Sequence, residues 1–269
     1  MAAFVYGAAD FFGGLASRKT SPVAVVVLSQ IAGFAVLAGV WVALPGRFYW
    51  SDVGFGVAAG IGGAVGIAAL YAALAAGRMG IVSPITAVVG ASVPVVVGLA
   101  LHERPSWPAL AGVILAFVAV ALVSADAESK RISLREPGVA LALLSGVAIG
   151  VLYVFLSRAH HDAGVVLLAT TRVTSLAILT TFALVRREKL RPAPGGLPTI
   201  LLAGGLDMLA NVLYFFAARY GLLSLVAVLT SLYPASTIFL ARVVLGERLL
   251  PTQWAGVALA TVGVMLIAL

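Results

Sequence analysis

Two aspartates, Asp10 and Asp207, stand inside stretches of sequence that are otherwise apolar. The chain has 10 acidic residues, and the others lie in polar connections or at the ends of apolar segments. A charged side chain at the depth of a lipid bilayer costs about 3 kcal/mol, so it faces the protein interior or water. Such a carboxyl group could bind and release a proton within a cavity.

Helical spacing gives each aspartate polar companions on its own face. Tyr6 and Asp10 are four residues apart, so they lie on the same side of a helix. Asp207, Asn211 and Tyr214 follow the i, i+4, i+7 pattern on another helix. We therefore predict that both faces line one substrate cavity, with Asp207 as the stronger candidate for a proton-binding acid and Asp10 as its companion.

Four more polar side chains within apolar segments are candidates for the same cavity: Gln30, Tyr71, Tyr153 and Arg172. Arg172 could bind an anionic group of a substrate, or it could neutralise an acid. In the second case Arg172 and Asp207 would form a static ion pair that only fixes packing. Gln30 could equally line the cavity or join two helices by a hydrogen bond.

The composition determines what kind of elements carry these residues. The chain has 269 residues, of which 62% are hydrophobic and only 10% are charged, and its mean hydropathy is +1.13. Soluble domains have about a quarter charged residues, so this composition is typical of a polytopic membrane protein. Cysteine is absent, which excludes disulfides and thiol chemistry. We expect no metal site and no cofactor.

Charged and Pro/Gly-rich breaks predict an all-α membrane protein with ten transmembrane helices, each about 20 residues long. The predicted segments are 1–16, 22–44, 53–76, 81–101, 107–125, 138–158, 163–185, 197–218, 222–245 and 251–269. The first is short, which suggests that its N-terminal end is missing from this sequence.

An internal repeat divides these segments into two sets of five. Shifting the chain by about 143 residues places "ALYAALAAGRMGIVS" over "VLYFFAARYGLLSLV", which pairs Tyr71 with Tyr214. The first repeat covers residues 1–125, the second covers 138–269, and a loop at 126–137 joins them. Because five is odd, the second copy would enter from the opposite side of the membrane. Such inverted repeats are a common construction of secondary transporters, with the site at the repeat interface.

Several motifs of this chain resemble the EamA-type family of the drug/metabolite transporter superfamily. They are "YG" at the start, "LYAALAAGRMGIVSP" after the third segment, Arg172, and the paired turns "LHERPSWPALAG" and "LGERLLPTQWAG". We interpret the Glu-Arg turns as architectural, tying a loop to a helix end. The resemblance implies a ten-helix bundle with a central cavity that exports or exchanges metabolites, amino acids or drugs without ATP.

The resemblance also implies partners and a location. The partners are a small-molecule substrate and the lipid bilayer, with a homodimer contact at the peripheral helices and no nucleic acid or nucleotide-binding subunit. The location is an integral, multi-pass position in a bacterial-type plasma (inner) membrane. Lysines and arginines concentrate in the odd-numbered loops, which by the positive-inside rule places both termini outside. The family resemblance suggests termini inside.

Two other functions fit an apolar helical bundle. One is a membrane scaffold or regulator that transports nothing, whose helices would pack without a central cavity. The other is an intramembrane enzyme that uses Asp10 and Asp207 as an acid–base pair, which requires both within reach of one substrate. No protease motif accompanies these acids, so we favour a transporter over an enzyme.

Overall fold

The computed structural model describes all residues except 44–45, 77–78, 124–137, 161, 246–250 and 268–269. The described chain forms eleven α-helices, numbered in chain order: α1 Ala2–Ser17, α2 Pro22–Ala43, α3 Trp50–Ala76, α4 Met79–Ala100, α5 Trp107–Val123, α6 Val139–Leu156, α7 Val166–Val185, α8 Leu197–Tyr220, α9 Leu223–Thr230, α10 Tyr233–Leu245 and α11 Pro251–Ile267. The predicted connecting loop at 126–137 lies outside the described residues.

The ninth predicted segment, 222–245, is not one continuous helix, and this part of the prediction was wrong. It is broken at Ser231 and Leu232 into α9 and α10. The cause is Pro234, which has no backbone N–H and whose ring clashes with the carbonyl four residues earlier. The residue before a proline is also biased away from helical geometry. Pro234 is therefore accommodated in the first turn of a new helix.

Five of the described helices are long and apolar enough to cross a bilayer: α2, α3, α6, α7 and α8. Shorter apolar stretches occur at Ile85–Ala100, Trp107–Leu122, Leu223–Thr237 and Trp254–Ile267. Many large apolar side chains point outward, as expected for a bundle whose surroundings are hydrocarbon; examples are Ile31, Ile61, Val65, Val173 and Phe182.

The closest helix packing joins the two repeats to each other. Helix α3 packs on α6 and α7, and in the corresponding arrangement α8 packs on α1 and α2. Helix α4 packs on α6 as α10 packs on α1, and the last helices of the two repeats, α5 and α11, pack together. Each repeat therefore buries its helices largely against the other repeat.

Glycines permit this close approach where α3 crosses the second repeat. A Cβ atom at Gly60 would lie 2.6 Å from the Thr174 Cβ atom on α7, and one at Gly62 would lie 2.8 Å from the Ala148 carbonyl oxygen on α6. Both distances are shorter than side-chain carbons tolerate. Small residues at helix contacts are the usual way to bring membrane helices together.

Hydrogen bonds also join the repeats at one end of the bundle. The Glu103 carboxylate accepts hydrogen bonds from the Leu223 and Ser224 backbone N–H groups at 2.6 and 3.0 Å, and one from the Ser224 hydroxyl at 2.6 Å. An acidic group at the first turn of a helix satisfies its unpaired donors. This contact fits the architectural interpretation of the first Glu-Arg turn; the second, with Glu247 and Arg248, lies outside the described residues.

A second link at that end, the inter-repeat loop contact, is formed by Arg47, Tyr49, Asp162 and Ala163. The Arg47 N–H donates to the Asp162 carbonyl at 2.9 Å, and the Tyr49 hydroxyl donates to the Asp162 carboxylate at 2.8 Å. At the opposite end, the Ser21 hydroxyl donates to the Glu188 carboxylate at 3.1 Å. Both ends of the bundle are therefore joined across the repeats.

Candidate functional site

A cavity of about 70 Å³ lies between the two repeats. Its lining residues come from α1, α3, α6, α7 and α8 and from the start of α10. They are Tyr6, Asp10, Gly63, Ile67, Leu70, Ile149, Leu152, Tyr153, Leu168, Thr171, Arg172, Ser175, Asp207, Met208, Asn211 and Tyr233. The position at the repeat interface is where secondary transporters with internal repeats bind substrate.

Helix α1 brings Asp10 to the cavity. Helix α1 packs against α8 and α10, and only 6% of Asp10 is exposed. Among the described residues, no hydrogen bond or ion pair to the Asp10 carboxyl group is present. Asp10 is thus a buried acid that lines a cavity and has no cationic partner in the described part of the chain.

Asp207 has a different environment, because α7 places Arg172 beside it. One guanidinium nitrogen of Arg172 lies 2.8 Å from an Asp207 carboxylate oxygen. The Asn211 side-chain amide donates to the Asp207 backbone carbonyl at 2.8 Å and to its carboxylate at 3.3 Å. This is the ion pair that the sequence left open as an alternative, and it is located within the cavity wall.

Arg172 is held on its other side by α2. A Cβ atom at Gly33 would lie 3.2 Å from the central guanidinium carbon of Arg172. The guanidinium also donates to the Met208 sulfur at 3.0 Å. Because Arg172 is 9% exposed and packed on several helices, its orientation toward Asp207 is fixed by the fold.

Tyrosine rings form another part of the cavity wall. The Tyr6 and Tyr153 rings meet edge to face, with centroids 5.9 Å apart. Tyr233 lines the cavity at the start of α10, and its hydroxyl donates to the Ser83 carbonyl at 3.3 Å. Aromatic faces carry partial negative charge, so tyrosine rings in the wall of a cavity can attract a cation.

Six of the nine predicted site residues line the cavity: Tyr6, Asp10, Tyr153, Arg172, Asp207 and Asn211. The structure places the other three behind this wall. Gln30 donates to the hydroxyl of the lining residue Ser175 at 3.1 Å. Tyr214 stacks on Tyr153 with centroids 4.3 Å apart, and Tyr71 is 1% exposed and packs against Gly13.

Three polar lining residues were missed from the sequence. Thr171 precedes Arg172 directly on α7 and Ser175 follows it by three residues, so that Thr171 and Ser175, four residues apart, share a helical face beside Arg172. Their proximity to Arg172 in the sequence could have predicted that they line the cavity, although threonine and serine are common in membrane helices for packing alone. Tyr233 reaches the cavity because the chain breaks before Pro234, so that proline was the signal for it.

The inter-repeat loop contact shifts the pKa values of two of its side chains. The hydrogen bond from the Tyr49 hydroxyl is the main reason that the pKa of Asp162 lies below its usual value, and it also raises the pKa of Tyr49. Nearby, the His160 ring stacks on Tyr49, and its Nδ1 atom lies 3.1 Å from a carboxylate oxygen of the fully buried Asp52. Sequence reasoning had placed Asp52 and Asp162 only in loops or at segment ends.

The described residues contain no group of three or more histidines, cysteines, aspartates or glutamates that could hold a metal ion. The cavity wall does contain an excess of acid over base. Asp10 and Asp207 are its acidic residues, and Arg172 is its basic residue. With both acids ionised, the wall therefore carries one net negative charge.

Comparison with known proteins agrees with this architecture. The family model described as the EamA-like transporter family matches residues 1–125 and again residues 136–269. A solved structure, described only as the crystal structure of a protein, superposes with a TM-score of 0.76 at 17% identity and covers 100% of this chain and 98% of its own. At that identity the similarity shows a shared fold. No curated protein matches the chain.

Proposed function

Because the chain belongs to the EamA-like transporter family of multi-pass membrane proteins, we propose that it is a secondary transporter that moves a small solute by alternating access between its two repeats. The family is one of transporters within the drug/metabolite superfamily. The class of solute, the direction of transport and its coupling to a proton gradient are proposals. The proposed location is a bacterial-type plasma membrane, and the proposed direction is export.

The observation that carries this proposal is the polar cavity between the repeats. A scaffold would need no cavity, yet six predicted polar residues contributed by both repeats surround one. Its volume of about 70 Å³ is well below the ~300–1,000 Å³ of sites that enclose drug-sized ligands. The cavity therefore suits a small solute, or it widens when one end of the bundle opens.

We assign the proton-binding role to Asp10 rather than Asp207. Arg172 forms an ion pair with Asp207 at 2.8 Å, so the Asp207 carboxylate already has a counter-charge within the protein. Asp10 has no such cation among the described residues. A buried carboxylate without a cation is costly, so it binds either a proton or another positive charge. Exchange between the two at one site is what couples solute movement to a proton gradient.

The supporting experiment is a growth screen in a bacterial host. Cells that overexpress the protein are compared with cells that carry an empty vector, across growth-inhibitory amino acids, amines and organic acids. We expect the protein to raise tolerance to at least one of them. Asp10→Asn should abolish that tolerance, whereas Asp162→Asn, the same chemical change on an exposed loop, should preserve most of it.

Uptake into inside-out membrane vesicles then tests coupling with the solute that the screen identifies. The wild-type protein should accumulate it when a proton gradient is imposed and should stop when the gradient is collapsed. Unchanged tolerance across the whole panel would contradict export and favour the scaffold. Normal transport by Asp10→Asn under a proton gradient would contradict the role of Asp10.

A further inference from the structure

We infer that the cavity binds a small organic cation, with its ammonium group at Asp10 and its alkyl groups among the rings of Tyr6, Tyr153 and Tyr233. The inference rests on the proposed transport function and adds the class of solute. It depends on three features of the described residues: the balance of charges in the wall, the aromatic lining and the size of the space.

Charge balance selects the sign of the ligand. Arg172 and Asp207 neutralise each other at 2.8 Å, which leaves the carboxyl group of Asp10 as the uncompensated ionisable group of the wall. Asp10 is 6% exposed, and an unpaired charge in such a place is costly unless a counter-charge or a proton joins it. A monocation supplies that counter-charge, whereas an anion would add a second uncompensated charge.

The rings select an organic cation over a hydrated metal ion. Tyr6, Tyr153 and Tyr233 line the same cavity as Asp10, and a cation within about 6 Å of a tyrosine face is attracted by the ring. A metal ion prefers several oxygen ligands, and no cluster of three acidic or histidine side chains is present among the described residues. Apolar side chains such as Leu70 and Leu152 complete the wall and suit an alkyl chain.

The space limits the ligand to a small one in this conformation. A volume of about 70 Å³ leaves room for an alkylammonium of a few carbon atoms and not for a polycyclic drug. Arg172 is engaged by Asp207 and packed against Gly33, so it is poorly placed to bind a ligand carboxylate. We therefore favour a simple amine over a zwitterionic amino acid.

The test measures binding to the purified full-length protein in lipid nanodiscs with three probes of matched size: n-butylammonium, 1-butanol and butyrate. Isothermal titration calorimetry at neutral pH should show n-butylammonium binding at least about 10-fold more tightly than the other two. Equal or tighter binding of butanol or butyrate by the wild-type protein would overturn the inference, and no variant is needed for that comparison.

Two variants assign the site. Asp10→Asn should weaken n-butylammonium binding at least about 10-fold, and Asp10→Glu, which keeps the charge, should retain more of it. Asp162→Asn is the matched control and should bind like the wild type. If Asp10→Asn folds, by circular dichroism and gel filtration, and binds n-butylammonium normally, the site is not at Asp10 and the inference fails.

The cation inference and the transport proposal can fail independently of each other. If the growth screen identifies an anionic or neutral solute whose export depends on a proton gradient, the protein is a transporter and the cation inference is wrong. If n-butylammonium binds at Asp10 but no solute is transported, the inference stands and the transport proposal is wrong.

Discussion

The two intramembrane aspartates differ because their neighbours differ. Asp207 is paired with a guanidinium that three helices hold in place, whereas Asp10 shares the cavity wall with tyrosine and apolar side chains and has no cationic partner among the described residues. Two aspartates in apolar helices thus differ: the charge of Asp207 is compensated by Arg172, whereas that of Asp10 depends on a proton or a bound cation. The chemistry proposed for the protein follows from that difference.

The Arg172–Asp207 pair gives a prediction for stability. Removing one partner leaves the other as an uncompensated charge in a poorly hydrated place, which costs about 3 kcal/mol. We expect Arg172→Gln and Asp207→Asn each to lower the thermal midpoint in detergent. The double variant should recover more than half of the summed loss, because no lone charge remains at the pair. Additive losses would show that the two side chains do not stabilise each other.

The sequence predicted six of the nine polar residues in the cavity wall but not the pairings among them. The i, i+4 rule correctly put Tyr6 with Asp10 and Asp207 with Asn211, because those residues share a helix. Which acid Arg172 meets depends on how α7 sits against α8, and a single sequence carries no such distance. The same reason explains Tyr214, whose face was predicted to line the cavity but which stacks behind Tyr153.

At the scale of helices, the crossing of α3 and α7 depends on Gly60. Its matched control is Gly54, which lies on the same helix and would place a Cβ atom in open space. We expect Gly60→Ala to destabilise the protein by about 1–3 kcal/mol through overpacking against Thr174. Gly54→Ala should be neutral or stabilising by up to about 1 kcal/mol, because alanine favours helix.

Denaturation of both glycine variants in mixed micelles measures the difference directly. A Gly60→Ala protein as stable as Gly54→Ala would contradict the close approach of α3 to α7.

The inter-repeat loop contact gives a pH prediction. A carboxyl group with a lowered pKa, such as Asp162, stabilises the fold above its unfolded pKa and loses that contribution as the pH falls through the lower, folded value. Tyr49, whose pKa is raised, contributes below about pH 10 and loses that contribution as the pH rises further. The hydrogen bond should therefore be intact from about pH 5 to pH 9.

Hydrogen exchange checks the prediction at two amides: that of Arg47, which donates to the Asp162 carbonyl, and that of the adjacent Gly164, which donates to the Arg47 carbonyl at 3.0 Å. Tyr49→Phe should speed their exchange about two- to fivefold relative to the wild type, because the contact is exposed and individually weak. The ratio should be constant between pH 5 and pH 8. A ratio that already falls to one at pH 6 would show that Asp162 loses its charge in that range.

Helix positions followed from apolar segments with one exception. The break between α9 and α10 was missed because the 222–245 segment is apolar on average, and one proline changes that average little. Pro234 in the sequence was the available signal, although membrane helices often tolerate proline when neighbours satisfy the backbone. Here Pro234 does interrupt the helix, and the new helix α10 that it begins packs on α1.

For the whole molecule, the central feature is that each repeat packs mainly on the other. The cavity lies at that interface, with linking contacts toward both ends: Glu103 with Ser224 at one, Ser21 with Glu188 at the other. Rocking one repeat against the other would break one set and keep the other, which is how alternating access works in inverted-repeat transporters. A rigid scaffold would keep both sets intact.

Cysteine accessibility is the most direct test of this account, since the native chain contains no cysteine. Thr171→Cys introduces a single thiol into the cavity wall, and a membrane-impermeant methanethiosulfonate reagent is applied to oriented vesicles from one side or the other. Lys19→Cys and Arg158→Cys are the controls, because these exposed residues lie at opposite ends of the bundle, Lys19 near the Ser21–Glu188 contact and Arg158 near the inter-repeat loop contact. Each control should react from one side only, and together they report which side each end faces.

The account predicts that Thr171→Cys reacts from both sides of the membrane, because the cavity opens alternately to each. Reaction from one side only, or from neither, while both controls react normally, would contradict alternating access at this cavity.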